Sequence, residues 1–310
     1  MAFDIIGDIH GQADKLHGLL KLMGYQDTNG AYRHPSRRAI FVGDFIDRGP
    51  QQKKSVMTVR RMVDALSAMA VMGNHEFNAI AWHTPSDGTN GDYLRTHKGV
   101  LGEKNRNQHI AFLKEFEKRP NLHKEIIDWF LTLPLWLDLE GIRVVHACWH
   151  EEYMEALKPH LTTDRQLNKD LMVRASTAGS MEFRTVEGLT KGLEVELPDG
   201  HSFKDKDGNV RHNVRIRWWD RNSNTYRGLA LMPEELLSRL PDLRIANDVR
   251  ANYEGTKPVF FGHYWMTGEP KLQSDLSACV DYSAGNDGPL VAYRWDGEPR
   301  LDARNFVRFG

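Results

Sequence analysis

The chain has 310 residues, 40% of them hydrophobic and 27% charged, the balance of an ordinary globular protein with room for one large domain or two small ones. With 41 basic against 42 acidic residues the formal net charge is -1, so no global imbalance points to nucleic acid or an anionic membrane. Two cysteines, Cys148 and Cys279, are too few for a secreted disulfide scaffold. The opening MAFDIIGDIHG has no basic stretch and no long apolar run, and no segment approaches the ~20 apolar residues of a spanning helix. A cytoplasmic location is the default expectation.

Residues 3 to 9 read as a short apolar strand that ends in a polar cluster. Leu16, Leu19, Leu20 and Met23 then share one helical face, and Gly24 stops the helix. Residues 39 to 42 form a second buried strand, Val56, Val59, Met62, Val63 and Leu66 a second amphipathic helix, and residues 68 to 72 a third strand. This alternation predicts a parallel sheet with crossover helices. The three strands run into GDIHG, GDFIDRG and GNHE, where functional groups of α/β folds collect. Residues 84 to 123 are polar and read as an excursion rather than core. A short helix over 126 to 133 precedes a hairpin, 135 to 139 and 143 to 147, whose second strand ends in VVHACWH. Residues 160 to 228 change character and read as a cap or insertion, with 193 to 197 and 210 to 218 alternating like hairpin strands. The core returns at PVFFG, 258 to 262, followed by His263, and closes with strands at 277 to 282 and 290 to 295.

The polar groups at these strand ends suit two divalent cations. Such a pair clamps a phosphoryl group with carboxylates, imidazoles and amide oxygens, one carboxylate bridging the ions. Asp8 and His10 sit at the first strand end, Asp44 at the second as the natural bridge, Asn74 at the third, and His146 and His263 at two later ones. Mixed nitrogen and oxygen donors fit Mn, Fe, Zn, Co or Ni better than Ca, and Mn is the expected ion of that group. The ions would polarise phosphoryl oxygens and lower the pKa of a water, so that no covalent phosphoenzyme is needed.

GDIHG, GDFIDRG and GNHE in this order resemble the signature of the calcineurin-like metallophosphoesterases. The DRG and GNHE forms are similar to the branch holding serine/threonine protein phosphatases and bacterial diadenosine tetraphosphatases. HAC at 146 to 148 and GHY at 262 to 264 resemble the later histidine blocks, and the opening most resembles bacterial PrpE-type bis(5'-nucleosyl)-tetraphosphatases. The resemblance implies a four-layer α/β/β/α sandwich of two mixed sheets. It spans a single domain over 1 to 310, weakens at 84 to 123 and 160 to 228, and places a cap-like segment over or beside the site. It also implies that Arg48 binds the substrate phosphate and that His75 is the general acid, oriented by Asp47. An arginine is a planar, permanently charged fork for phosphate oxygens, and a histidine paired with a carboxylate can protonate a leaving oxygen. The family's second phosphate-binding arginine falls in RIRWWDRN, as Arg217 or Arg221. Arg221 is favoured by a Trp-Asx-Arg run similar to phage-type members.

Taken singly, each motif has a plainer reading. GNHE could be a helix start with Asn74 as its N-cap. DKDGN at 205 to 209 resembles part of a calcium loop, but a hairpin turn accounts for it better. Trp218 and Trp219 could stack a nucleobase, although packing is their commoner job. His17, His34, His83, His97, His109, His123, His160, His201 and His212 read mostly as solvated surface, and His150 as a helix start. No P-loop or GxGxxG is present, and no nucleic-acid signature is clear. The expected function is metal-dependent hydrolysis of phosphate esters or anhydrides, on a nucleotide such as a dinucleoside tetraphosphate or, alternatively, on a phosphoprotein. A non-catalytic binding module on the same fold would predict losses among these residues, and none is lost.

Overall fold

The computed structural model describes residues 1–88, 91–204, 210–246, 250, 251, 253 and 255–310. In chain order, β1 (Ala2–Ile6), α1 (Ala13–Leu22), the small hairpin β2 (Gln26–Thr28) and β3 (Ala31–Arg33), β4 (Arg37–Phe41), α2 (Gln52–Asp64) and β5 (Ala68–Ala70) build the first half. Then come α3 (Asn74–His83), α4 (Gly99–Phe116), α5 (Pro120–Phe130), β6 (Trp136–Asp138), β7 (Arg143–Val145), α6 (Glu151–Leu157), α7 (Lys169–Ala175) and α8 (Met181–Lys191). Short strands β8 (Glu194–Glu196), β9 (Phe203–Lys204), β10 (Val210–Arg211) and β11 (Asn213–Arg215) and the short helices α9 (Tyr226–Leu229) and α10 (Glu234–Leu237) follow. The chain closes with β12 (Val259–Phe261), β13 (Ser277–Cys279), β14 (Leu290–Trp295) and β15 (Phe306–Phe309).

Two mixed sheets organise these elements. The first has the order β15-β14-β1-β4-β5, and the second β13-β12-β7-β6. In the first, β1, β4 and β5 are parallel, β14 runs against β1, and β15 runs against β14 and so in the direction of β1. In the second, β7, β12 and β13 are parallel and β6 is antiparallel. Because strand side chains alternate in direction, each sheet has two faces to cover. Phe3, Ile5, Ile40 and Tyr293 of the first sheet meet Val144, Phe260 and Ala278 of the second in one buried cluster. Their neighbours Ile6, Ala39 and Phe41 turn the other way, into a larger cluster with Leu16, Leu19, Val56 and Val59 of the flanking helices. On the far side, Val145, Val259, Phe261 and Cys279 join that larger cluster with Leu171, Val186 and Leu189. The result is the four-layer α/β/β/α sandwich expected from the motifs.

The stretch from 84 to 123 departs from expectation. Within it α4 buries Gly102, Asn105, His109, Phe112 and Phe116, and both phenylalanines are fully buried in the larger cluster. Those positions are spaced 3, 4, 3 and 4 apart, the stripe of a packed helix, but only its second half is apolar. The segment from 160 to 228 also contributes to the core, through α7, α8 and the pairing of β8 with β11. Trp218 and Trp219 are buried there, packed on Phe261 and Tyr264, and Trp218 donates from Nε1 to the Ala147 carbonyl at 2.9 Å, so packing is their role. The DKDGN segment lies outside the described residues. Among the described residues no helix is long and apolar enough to cross a membrane.

If α4 is core, Phe112→Ala will cost about 3–5 kcal/mol of unfolding free energy, read by urea denaturation. An excursion on the surface would show less than about 0.5 kcal/mol.

Candidate metal centre

The strand ends are tied to one another before any ligand is considered. Ile9 and His10 donate their backbone N–H groups to the Asp44 carbonyl at 3.1 and 2.9 Å. Buried Glu76 accepts from the N–H groups of Asp44, Phe45 and Gly73 at 2.8, 2.8 and 3.0 Å. The last residue of GNHE is thus the clasp that holds the Asp44 loop, and α3 starts at Asn74 with Gly73 as its cap, so Asn74 is left free to face the site. Burial and the nearby Asp44 charge push the Glu76 carboxyl up to about 7. Within the second sheet Gly262 donates to the His146 carbonyl at 2.8 Å, and across the sandwich His263 N–H donates to Asp8 Oδ2 at 3.0 Å. Gly73 and Gly262 are required by contact: a Cβ at the first would collide with Asp44 Oδ1, and at the second with Asp8 Oδ1.

One carboxylate oxygen sits at the centre. Asp44 Oδ2 lies 3.4 Å from His146 Nε2, 3.6 Å from His10 Nε2 and 3.9 Å from His75 Nε2. Each of these rings has committed its Nδ1 elsewhere: His146 to the Val42 carbonyl at 2.7 Å, His10 to the Ile46 carbonyl at 2.9 Å, and His75 to Asp47 Oδ2 at 2.5 Å. A carbonyl or carboxylate oxygen only accepts, so Nδ1 carries a proton in each ring; in their neutral forms His10 and His146 turn an Nε2 lone pair toward Asp44, whereas His75, favoured in its charged form by Asp44 and Asp47, keeps a proton on Nε2. Asn74 Oδ1 adds a further acceptor, 3.1 Å from His146 Nε2 and 2.8 Å from His263 Nδ1. Lone pairs facing one another in a buried space repel unless a cation or extra protons lie among them. A histidine fixed by a backbone carbonyl on its far nitrogen is the usual support of a metal ligand. Ligand atoms of His10, Asp44 and His75, and of Asp44, His146 and His263, lie within 4.8 Å of one another, two groups sharing Asp44.

Buried atoms without partners point the same way. Asp8 Oδ1, His10 Nε2 and His263 Nε2 are enclosed and make no hydrogen bond, which is costly unless something fills the gap. Burial, then the charges of His75 and Arg48 against that of Asp44, hold the His10 ring down to about 3, neutral and able to bind a cation. Burial works against a charged His146, but Asp44 and Asp8 outweigh it and push that ring up to about 10, a measure of how strongly this spot draws positive charge. Donors of this kind suit divalent ions: His10, Asp44 and His75 form one group and Asp44, His146 and His263 the other, with Asn74 Oδ1 beside the second.

A cavity of about 620 Å³ opens on this cluster, with Asp44, Asp47, Arg48, Asn74, His75 and His263 in its wall. The Arg48 guanidinium stacks on the Trp265 ring, 3.8 Å from its centroid, which restrains an otherwise long exposed side chain. Asp47 is buried between two imidazoles: it takes His75 Nδ1 on Oδ2 and His109 Nδ1 on Oδ1 at 2.7 Å. Burial favours its neutral acid, yet His109 and His75 together hold it well below the usual carboxylate range. His75 is held above the ordinary histidine range, because Asp44 and Asp47 outweigh burial. His109 was expected at the surface and is instead 4% exposed. His150 is also buried, as the N-cap of α6, the helix start expected for it.

The arginines of RIRWWDRN fall differently from expectation. Arg217 and Arg221 line a second cavity with Trp219 and Lys271, not the one over the cluster. Arg217 pairs with Asp220 at 3.4 Å, and Arg221 is exposed. The arginine whose charge reaches His263 is Arg215, at the end of β11 and bonded to Glu194 at 3.1 Å. Asp281 was also missed. It is buried, raised to about 6 chiefly by burial, and accepts N–H groups from Trp265 and Ser283 at 2.7 and 2.9 Å. Its only signal in sequence was its place after the apolar SACV.

The backbone itself is strained here. His10, Asp44, Asp47, Arg48, His263 and Trp265 all have φ between 46° and 71°, a left-handed region that non-glycine residues enter at a cost of about 1–3 kcal/mol each and that clusters at functional sites.

The sequence pattern of calcineurin-like phosphoesterases matches residues 1–263. The chain belongs to that family. A bis(5'-nucleosyl)-tetraphosphatase PrpE (asymmetrical) of Oceanobacillus iheyensis is 34% identical to this phosphoesterase-family chain over 156 residues, 47% of the chain and 55% of that protein. The protein of the same name from Halalkalibacterium halodurans is 46% identical over 76 residues, 24% of the chain and 31% of its own length. The matched region thus spans about half or less of these relatives. A solved structure of a protein serine/threonine phosphatase from Saccharomyces cerevisiae aligns over 99% of this chain and 78% of its own, at 17% identity and a TM-score of 0.47.

Metal-stripped protein titrated with Mn²⁺ should take up two equivalents by calorimetry and gain about 2.7 kcal/mol of stability per site when free metal is 100-fold above its Kd. Asp44→Asn should lose most of that uptake. No heat and no rise in Tm for the unaltered chain would remove the metal centre.

Proposed function

We propose that the chain hydrolyses phosphate esters or anhydrides, with dinucleoside tetraphosphates as the favoured substrates and Mn as the metal, in the cytoplasm. The observation that carries this is the ring of Nε2 atoms around Asp44 Oδ2, set in the same cavity as Arg48 and the His75–Asp47 pair. When bound, the two cations supply Lewis-acid polarisation of the phosphoryl group and a water of lowered pKa. The chain's own groups do the rest. Arg48, propped on Trp265, offers a planar fork to the phosphate oxygens. Asp47 fixes the His75 ring so that Nε2 faces the cavity with a proton to give. A P–O bond to water forms as the bridging P–O bond breaks. The electron pair left on the bridging oxygen takes the His75 proton, and the proton lost by the water returns through solvent to restore His75.

The relatives named as tetraphosphatases support the nucleotide reading. A phosphoprotein substrate would use the same metal chemistry, so a turnover screen separates them: diadenosine tetraphosphate, phosphopeptides and phosphomonoesters, each with several metals. The expected outcome is fastest turnover of the tetraphosphate with Mn²⁺.

Mn-dependent phosphate release from p-nitrophenyl phosphate should vanish with EDTA and in Asp44→Asn. His75→Asn should lower turnover on the order of 100-fold or more for a poor leaving group such as a serine phosphate, and less for p-nitrophenolate, because general-acid help matters most for basic leaving oxygens. Activity that survives EDTA, or an equal loss on both leaving groups, would contradict these roles.

A further inference from the structure

Arg95 has no part in the chemistry so far, and its placement is unusual. It lines the same cavity as His75 and Arg48. Its guanidinium is held by two neutral amides, Nη1 to Asn78 Oδ1 at 2.9 Å and Nη2 to Gln108 Oε1 at 2.7 Å. Among the described residues no carboxylate stands within ion-pair distance of it. Lys191, also in the wall, is paired with Glu187, so its charge is matched, and Arg95 holds a surplus positive charge. Asp47, which carries His75, and Glu187 lie within electrostatic reach of the guanidinium. Arg95 therefore stands on the His75 side of the cavity, the side from which a leaving group departs if His75 is the acid.

The segment that presents Arg95 is built, not loose. Its own N–H donates to the Ala81 carbonyl at 3.1 Å, and that of Leu94 to Thr84 at 2.9 Å. Asp92 accepts from the N–H groups of Tyr93 and His97 at 2.8 and 3.0 Å and from Thr96 Oγ1 at 2.5 Å. The His97 ring stacks on Trp82 with centroids 3.6 Å apart. An arginine fixed by amides, unneutralised and facing a polar cavity is preorganised for an anion.

We propose that Arg95 is a specificity residue for the leaving group: it binds a phosphate that remains on the departing side, so the site prefers phosphoanhydrides, whose leaving group is itself a phosphate, over simple monoesters. This rests on the hydrolase reading above and assigns a residue to one side of that reaction. A serine or p-nitrophenol leaving group brings no phosphate to this spot, whereas a nucleoside polyphosphate brings at least one.

The test compares metal-loaded protein with its Arg95→Gln and Arg95→Lys forms. Steady-state kinetics would give kcat/KM for adenosine tetraphosphate and for p-nitrophenyl phosphate. Calorimetry would give the affinities of imidodiphosphate, which has a bridging nitrogen, and of orthophosphate. In Arg95→Gln the ratio of the two kcat/KM values, and the ratio of the two affinities, should each fall on the order of tenfold, the worth of one charged hydrogen bond. Arg95→Lys should restore part of both. Ratios unchanged from the unaltered chain, or not improved by lysine, would overturn the assignment, because a structural role moves both members of each ratio together. If neither substrate is turned over while the affinity ratio still falls in Arg95→Gln, the hydrolase reading fails and the anion subsite stands.

Discussion

Asp44 Oδ2 faces three imidazole nitrogens, and each of those rings donates a hydrogen bond from its other nitrogen to an oxygen that can only accept. With Asn74 Oδ1 beside them, the strand ends assemble polar atoms largely enclosed by protein at the floor of a cavity. In a low-dielectric interior such an arrangement is strongly unfavourable by itself and strongly favourable around positive charge. Much of the local structure serves to hold it. Glu76 clasps the Asp44 loop, the Asp44 carbonyl clasps the Asp8–His10 turn, and His263 N–H clasps Asp8. The two sheets are joined at this point as well as through their shared apolar layer.

Holding these side chains requires backbone that relaxed residues avoid. Six site residues lie in the left-handed region, and at about 1–3 kcal/mol each their combined strain rivals the net stability of a typical domain. The strain persists because the flanking strands are fixed on both faces by buried apolar clusters. Gly73 and Gly262 add the complementary demand that nothing larger than hydrogen stand next to the Asp44 and Asp8 carboxylates. The letters G in GNHE and GH are therefore part of the donor geometry.

Where the sequence was legible, two signals coincided. β1, β4 and β5 are apolar runs that lead into long polar motifs, so Asp8, His10, Asp44 and Asn74 could be placed at strand ends from pattern; β7 and β12 lead to His146 and His263, whose shorter motifs rested more on the family resemblance. His109 was illegible for a definite reason. It lies in the buried stripe of α4, but that stripe is polar in its first half because it faces a cavity, and a polar stripe looks like solvent exposure. Arg215 and Asp281 were hidden by distance: the alternation over 193 to 197 and 210 to 218 shows the pairing of β8 with β11, but nothing in it shows that the end of β11 brings the Arg215 charge toward His263. The expected Arg221 came from a motif likeness, and the local turn sends it to a different cavity. Arg95 was passed over inside a segment that reads as an excursion.

The helix α4 carries two jobs on a single face. Phe112 and Phe116, near its end, are seated in the main core, while Asn105, Gln108 and His109, one to three turns earlier, form the wall over the metal cluster. The anchored end fixes the helix axis, and the wall end then reaches the cavity at a set depth. Substitutions among the first three turns can reshape what the cavity accepts without disturbing the apolar contacts that keep the helix in place. The sandwich thus separates inheritance from adaptation along one rod: the far end keeps the architecture, and the near end is where a lineage of such proteins could acquire new tastes while its metal chemistry stays as it is.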